Sequence, residues 1–250
     1  MSGHSHWAGI KHKKAANDAK RGKIWSKIAK MIIVAAKAGG GEPGQNLSLR
    51  YAIDKAKAAN MPKDTIEKAI KKGTGELGVI NYEEVLYEGY APGGVAIMLD
   101  GLTDNRNRTG PEIKKIFEKR GGSLGSSGCV NWMFSKKGLI TVSTEAIEED
   151  ALMEIALSAG ADDMETAGEV YEITCDPNAY QQLKEALEEK EIPTEVAEIS
   201  MVPQSTVPVD NFDNAKKIMA LMDEFEDHDD IQEVYANFDI PDDILKQLEN

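Results

Sequence analysis

Nowhere in the 250 residues does an apolar run approach the roughly 20 residues needed to cross a bilayer. The start, Met1-Ser2-Gly3-His4, is polar and lacks the apolar core of a secretory signal, so a cytoplasmic protein is expected. Cysteine is nearly absent. Cys129 and Cys175 stand alone, without a second Cys or His at metal-ligand spacing, and read as buried thiols in a reducing cytosol. His4, His6 and His12 have no Cys or acidic residue among them, so neither a metal site nor a cofactor is expected. No nucleophile–base arrangement is visible, which argues against an enzyme. Aromatics are scarce at 6%, and the first 73 residues hold only Trp7, Trp25 and Tyr51, thin support for base stacking.

The chain also has little positive charge overall, at a net −14, but what it has is concentrated. Residues 1–73 hold 14 Lys and 2 Arg against 5 acidic residues; residues 140–250 hold 5 basic residues against 30 acidic ones. A pI near 4.8 therefore averages two opposed fields. With a Debye length of about 8 Å at physiological salt, separate domains largely cease to sense each other's charge. A cationic head can thus engage a polyanion locally, while an acidic body is repelled and faces away.

Periodicity divides the chain. Residues 15–38 form a long helical pattern stopped by Gly39-Gly40-Gly41, with Ile24, Trp25, Ile28, Ile32 and Ala35 on one face. A second helix is expected over 47–59 and a third from Pro62 to Gly73. Beyond Gly78 the period becomes two, with strands at 84–90 and 95–102 around Pro92-Gly93-Gly94, a helix at 109–119 and a strand at 129–134. Residues 138–207 read as a βαββαβ unit, followed by a helix at 215–226 and a strand at 231–238. A lone terminal helix and strand cannot bury a core. The economical reading is an α+β, multidomain protein: a basic three-helix domain at 1–78, a discontinuous α/β domain from 79–134 with 208–250, and an inserted acidic ferredoxin-like domain at 135–207. Consecutive small domains are the alternative.

Lys13, Lys20 and Lys27 recur every seven residues, as do Lys23, Lys30 and Lys37, forming two adjacent columns opposite the apolar face. Acidic partners at i+4 are nearly absent, so the lysines repel one another at a cost that an external polyanion would relieve. A solvated helix face or an anionic membrane surface would carry the same charge, but the apolar face is needed for packing, which disfavours the membrane. The third helix offers Lys63, Lys68, Lys71 and Lys72 without the Arg, Asn or Gln that read base edges. Phosphate and shape recognition of DNA or ribosomal RNA is expected. The candidate contacts are Lys11, Lys13, Lys14, Lys20, Arg21, Lys23, Lys27 and Lys30. Arg106 and Arg108, in Thr103-Asp-Asn-Arg-Asn-Arg-Thr109, are secondary candidates; local ion pairing with capping by Asp104 or Asn105 explains them equally well. Replacing Lys20, Lys23, Lys27 and Lys30 by Ala is expected to remove binding and spare the fold. The acidic block offers a surface for a basic partner such as a ribosomal protein or polymerase.

Two glycine-rich segments fail their contexts. Gly73-Thr-Gly-Glu-Leu-Gly78 fits the dinucleotide pattern but leaves a helix and enters a strand. Residues 121–128 run from helix to strand, the reverse of a phosphate loop, and read as a tight connection whose amides could still meet a phosphate.

The run Gly3-His-Ser-His-Trp-Ala-Gly-Ile-Lys-His-Lys-Lys14 resembles the start of the YebC/PmpR family, as do Ala58-Ala-Asn-Met-Pro-Lys63, Tyr87-Glu-Gly-Tyr-Ala-Pro-Gly-Gly94 and residues 103–109. The resemblance spans most of the chain in the family's order and spacing. It implies three domains with the last inserted in the middle one, and a function either in transcription, on promoter DNA, or in translation, on the ribosome at difficult peptide sequences. Lys30 and Lys37 stand where many members carry Arg, which keeps the charge but loses the bidentate fork. Cys129 occupies a position where Ser is also common.

Overall fold

The computed structural model describes residues 18–78 and 80–249, with side chains for all but 18–21, 242, 246 and 249. The first three helices, α1 (Asp18–Gly39), α2 (Leu47–Ala58) and α3 (Lys63–Gly73), follow the expected boundaries closely. Asn46 caps α2 by accepting from the Leu49 amide at 3.1 Å, and Pro62 sits extended at the mouth of α3. Ile28, Ile32, Ile33, Ala35 and Ala36 of α1 pack with Leu49, Ala52, Ala56, Ile66 and Ala69 in a core of their own. Trp25 lies against that core and donates Nε1–H to the Ala59 carbonyl at 2.9 Å, which engages its ring in packing.

Eight α-helices are present among the described residues. After the head, β1 (Glu83–Tyr90) and β2 (Ala96–Thr103) form the expected hairpin, Tyr90 opposite Ala96. The helix α4 (Arg106–Lys119), the short β3 (Ser123–Leu124), α7 (Phe212–Glu226) and β9 (Ile231–Ala236) complete one layer pair. Its antiparallel sheet runs β3-β1-β2-β9, so the strand after residue 230 hydrogen-bonds directly to β2. Ile97 and Leu99 face a core built from Ile113, Phe117, Ile218, Leu221, Met222 and Phe225. Ala96 and Met98 face the other way, under Val130, Phe134 and Tyr235. Burial on both faces explains why β2 reads as a continuous apolar run.

The second sheet holds β4 (Phe134–Ser143), β5 (Ala161–Ala167), β6 (Val170–Cys175) and β7 (Val196–Pro203), ordered β5-β6-β4-β7 and antiparallel throughout. Two helices, α5 (Glu149–Ser158) and α6 (Tyr180–Glu189), cover one face through Leu152, Ala156, Leu183 and Leu187. The strand–helix–strand–strand–helix–strand order is the one read from the sequence.

Four elements escape the sequence reading, the short β3 among them. Two short strands, β8 (Val207–Pro208) and β10 (Phe238–Asp239), pair in parallel, and a last helix, α8 (Asp242–Glu249), closes the core with Ile244 and Leu245. The expected strand at 129–134 is instead a single 3-10 turn at Asn131–Met133 leading into β4. The cause is Glu88, 2% exposed, whose carboxylate accepts amides from Gly128 (2.6 Å), Val130 (2.8 Å) and Asn131 (2.8 Å). Amides committed to a carboxylate cannot pair in a ladder. Val130 and Phe134 therefore lie across the back of the sheet rather than at its edge.

Candidate nucleic-acid interface

The lysine columns of α1 are not a free solvated face. Lys23 Nζ donates to the Asp227 carbonyl at 3.3 Å and lies 3.5 Å from its carboxylate. Lys27 Nζ donates to the Glu226 carbonyl at 2.6 Å. Lys30 Nζ donates to the Asp229 carbonyl at 2.9 Å and to Asp230 Oδ1 at 2.7 Å, and stands 5.5 Å from the centroid of the Tyr82 ring. On α2, Lys55 pairs with Glu233 at 2.7 Å. The anion that the repelling lysines require is supplied by the chain itself, about 200 residues downstream.

Two expectations are corrected by this docking. Part of the acidic block, 226–233, lies against the cationic head rather than facing away from it, because the paired groups sit closer than any screening length. Replacing the four lysines also cannot leave the structure untouched, since Lys30 is one of the groups holding a buried carboxylate. Lys23→Ala, by contrast, removes a pair whose side chains are 46% and 57% exposed. Its expected cost is below about 0.5 kcal/mol in chemical denaturation, as for other exposed pairs.

Asp230 is the centre of the arrangement. Its side chain is 3% exposed. Lys30 holds Oδ1, while Arg108 Nη2 at 2.6 Å and Thr109 Oγ1 at 2.7 Å hold Oδ2. Thr103 Oγ1 is 2.8 Å from Thr109 Oγ1 and accepts the Asn105 amide at 2.9 Å. Burial alone would raise the Asp230 pKa; the hydrogen bonds from Lys30, Arg108 and Thr109 outweigh it and hold the carboxyl far below the usual carboxylate range. The loop itself is tied down separately. His228 Nδ1 accepts the Asp230 amide at 3.1 Å, which leaves its proton on Nε2, 3.2 Å from Glu112 Oε2.

Arg106 and Arg108 are engaged in ion pairs, as the local reading expected, but Arg108 also reaches a distant carboxylate. Asn105 caps α4 by accepting the Arg108 amide at 3.1 Å. Arg106 binds Glu83 at 3.0 Å and the Glu84 carbonyl at 2.9 Å; Arg108 binds Asp104 at 3.0 Å as well as Asp230. Both guanidinium groups keep exposed surface, 60% and 44% of the side chain. The 121–128 segment offers no phosphate cradle through its last amide, since Gly128 N–H already serves the Glu88 carboxylate.

Lys11, Lys13 and Lys14 lie outside the described residues, together with the three N-terminal histidines; Lys20 and Arg21 fall on α1 without a described side chain. The structure brings Lys23, Lys27, Lys30 and Arg108 to one loop. An open cleft of about 1160 Å³ runs between head and body there, lined by Lys23, Lys30, Lys72, Tyr82, Arg108 and Asp230 among others. Sequence reasoning missed Asp230 and Tyr82 among these. Asp230 was hidden in the acidic run Glu224-Phe-Glu-Asp-His-Asp-Asp230, where nothing separates the one buried carboxylate from its solvated neighbours except its place just before an apolar strand. Lys72 is expected from the sequence as a phosphate-type lysine of the third helix, without a place in this cleft.

Two family models match the chain: one described as the TACO1/YebC protein N-terminal domain, over residues 5–76, and one as the TACO1/YebC second and third domain, over 82–238. A relative from Natranaerobius thermophilus bearing the name "Probable transcriptional regulatory protein" is 55% identical over 249 residues, covering 98% of this chain and 99% of its own. One from Dictyoglomus thermophilum with the same name is also 55% identical, covering 99% and 100%. The crystal structure of a conserved hypothetical protein from Aquifex aeolicus superposes with a TM-score of 0.83 at 50% identity, over 96% of this chain and 99% of that one.

Proposed function

We propose that this chain, which belongs to the TACO1/YebC family, is a non-enzymatic regulator of gene expression that binds a nucleic-acid backbone through its basic helical head. The observation that carries this reading is the segregation of charge, with 16 basic residues against 5 acidic in the first 73. Lys11, Lys13, Lys14, Lys20 and Arg21 lie before the stretch engaged by the acidic loop and make the first contacts. Lys23, Lys27 and Lys30 continue the same helix, and Arg106 and Arg108 add secondary contacts through their exposed faces. Names carried by the relatives favour DNA and transcription. The scarcity of base-reading side chains on α3 favours the second reading, shape recognition of ribosomal RNA during translation.

The architecture serves the same reading. Strand β9 pairing with β2 supports one discontinuous domain from 79–134 and 208–250, with a ferredoxin-like domain at 135–207 inserted between its halves. The inserted domain, rich in acid, keeps the rest of the molecule off the polymer and offers its surface to a basic protein partner. The setting is the cytoplasm; no helix among the described residues is long and apolar enough to cross a membrane. Ultraviolet crosslinking in cells, followed by sequencing of what is bound, tests the function. Promoter DNA supports the transcriptional reading and large-subunit ribosomal RNA the translational one. Recovery of neither above a tagged control removes both.

A further inference from the structure

We propose that the loop 226–230 is an autoinhibitory polyanion mimic: it occupies the lysine face of α1, and a nucleic-acid backbone displaces it as the helical head swings away from the body. This rests on the reading of the head as a phosphate-binding domain and adds the state in which that domain is held closed.

The loop takes the place a phosphate backbone would take. Three lysines on one helix face meet oxygens of this segment: Lys23 the Asp227 carbonyl, Lys27 the Glu226 carbonyl, and Lys30 both the Asp229 carbonyl and the Asp230 carboxylate. Oxygens at the C-terminal end of α7 and the turn that follows it, set among acidic side chains, present acceptors of the kind a sugar-phosphate strand offers. Occupancy by the loop excludes occupancy by a polymer, because each ammonium reaches the loop at hydrogen-bond distance.

Release is not prohibitive. When Lys30 leaves, Asp230 keeps Arg108 and Thr109 on Oδ2, and Oδ1 opens onto the cleft that it lines. The other acceptors are mainly carbonyls of a loop whose Asp227 and Asp229 are exposed, and these take water in place of ammonium. The loop holds its shape without α1 through the His228 contacts to Glu112 and to the Asp230 amide. The moving part is self-contained, since the head carries its own core. Its tether suits a hinge. Gly75 and Gly78 adopt φ of +88° and +92°, and a Cβ at either would meet nothing within 4 Å, so neither glycine is tightly packed.

The test uses the full chain, with spin labels on Lys68→Cys and Lys217→Cys in a Cys129→Ser background, and a 30-base-pair duplex and an RNA hairpin as probes. Asp227→Asn/Asp229→Asn removes two exposed loop charges, and Glu154→Gln/Glu189→Gln removes the same number from the inserted domain. Expected is one label distance at low salt, a longer one at saturating probe, and about fivefold tighter probe binding by the Asp227/Asp229 variant alone. The longer distance should also appear with rising salt in the absence of probe, earlier in that variant. Equal gains in the two variants would show a net-charge effect and overturn the latch, as would probe binding at an unchanged label distance. If salt opens the molecule but neither probe binds even to the Asp227/Asp229 variant, the phosphate-binding reading fails and the polyanion mimic falls with it, leaving only a salt-sensitive contact.

Discussion

Replacing Asp230 by Ala is expected to cost about 3 kcal/mol of stability, the lower part of the range for removing one partner of a buried ion pair. Lys30, 14% exposed, loses its only carboxylate among the contacts described, while Arg108 retains Asp104 and water, which softens the loss. Thr103 and Thr109 lose the acceptor on which their chain of hydroxyls ends. The effect should be visible as a lower denaturant midpoint and as faster proteolysis between 74 and 82, where head joins body. The pH dependence follows from the depressed carboxyl. A group whose folded pKa lies below its unfolded value stabilises the fold above the unfolded value, near 4, and loses that contribution as pH falls toward the folded one. The wild type should therefore lose stability between about pH 4 and 2 more steeply than Asp230→Ala does.

Glu88→Ala is expected to cost about 2–3 kcal/mol, because three amides lose one acceptor and one of them, that of Val130, belongs to a fully buried residue. Burial tends to raise the Glu88 pKa, but hydrogen bonds from Gly128, Val130 and Asn131 prevail and hold it low, so this contribution too is present above about pH 4.5 and lost on acidification. A second readout separates loop opening from global unfolding. Burial and the Glu88 charge both push the Cys129 thiol up. In Glu88→Ala both influences weaken, so Cys129 should react with a thiol reagent at pH 8 at least tenfold faster while fully buried Cys175 stays protected. Equal labelling rates in variant and wild type would show that Glu88 does not organise the 125–131 segment.

The elements legible in the sequence are those whose signals are local. Three helices of the head show their period in Ile28, Ile32, Leu49, Ala52, Ile66 and Ala69, and punctuation by Gly39 to Gly41 and by Pro62 marks their ends. The second sheet was readable for the same reason. Residues 129–134 were misread because their β-like composition serves burial on a sheet face, and the carboxylate that sets their backbone is some 40 residues away. The terminal α8 is too short and too close to the chain end to show a period.

The interface was half legible. The lysine columns and their lack of i+4 acids pointed to an external polyanion, whereas Lys23, Lys27 and Lys30 find their acceptors within the chain. Pairings across 200 residues leave no periodic trace, so the loop's role waited for the fold. The Arg106–Arg108 motif illustrates the same limit: its residues were picked out, but the carboxylate that explains Thr103, Arg108 and Thr109 together lies in another segment.

The most direct test is the affinity of the full-length protein for a duplex and for a structured ribosomal RNA fragment, titrated from about 50 to 300 mM salt. If about six phosphates are neutralised, log K should fall against log salt with a slope near −5 on duplex DNA. Absence of binding to either polymer at the lowest salt, in the wild type and in Asp227→Asn/Asp229→Asn alike, would contradict the assignment of the cationic head to a nucleic-acid backbone.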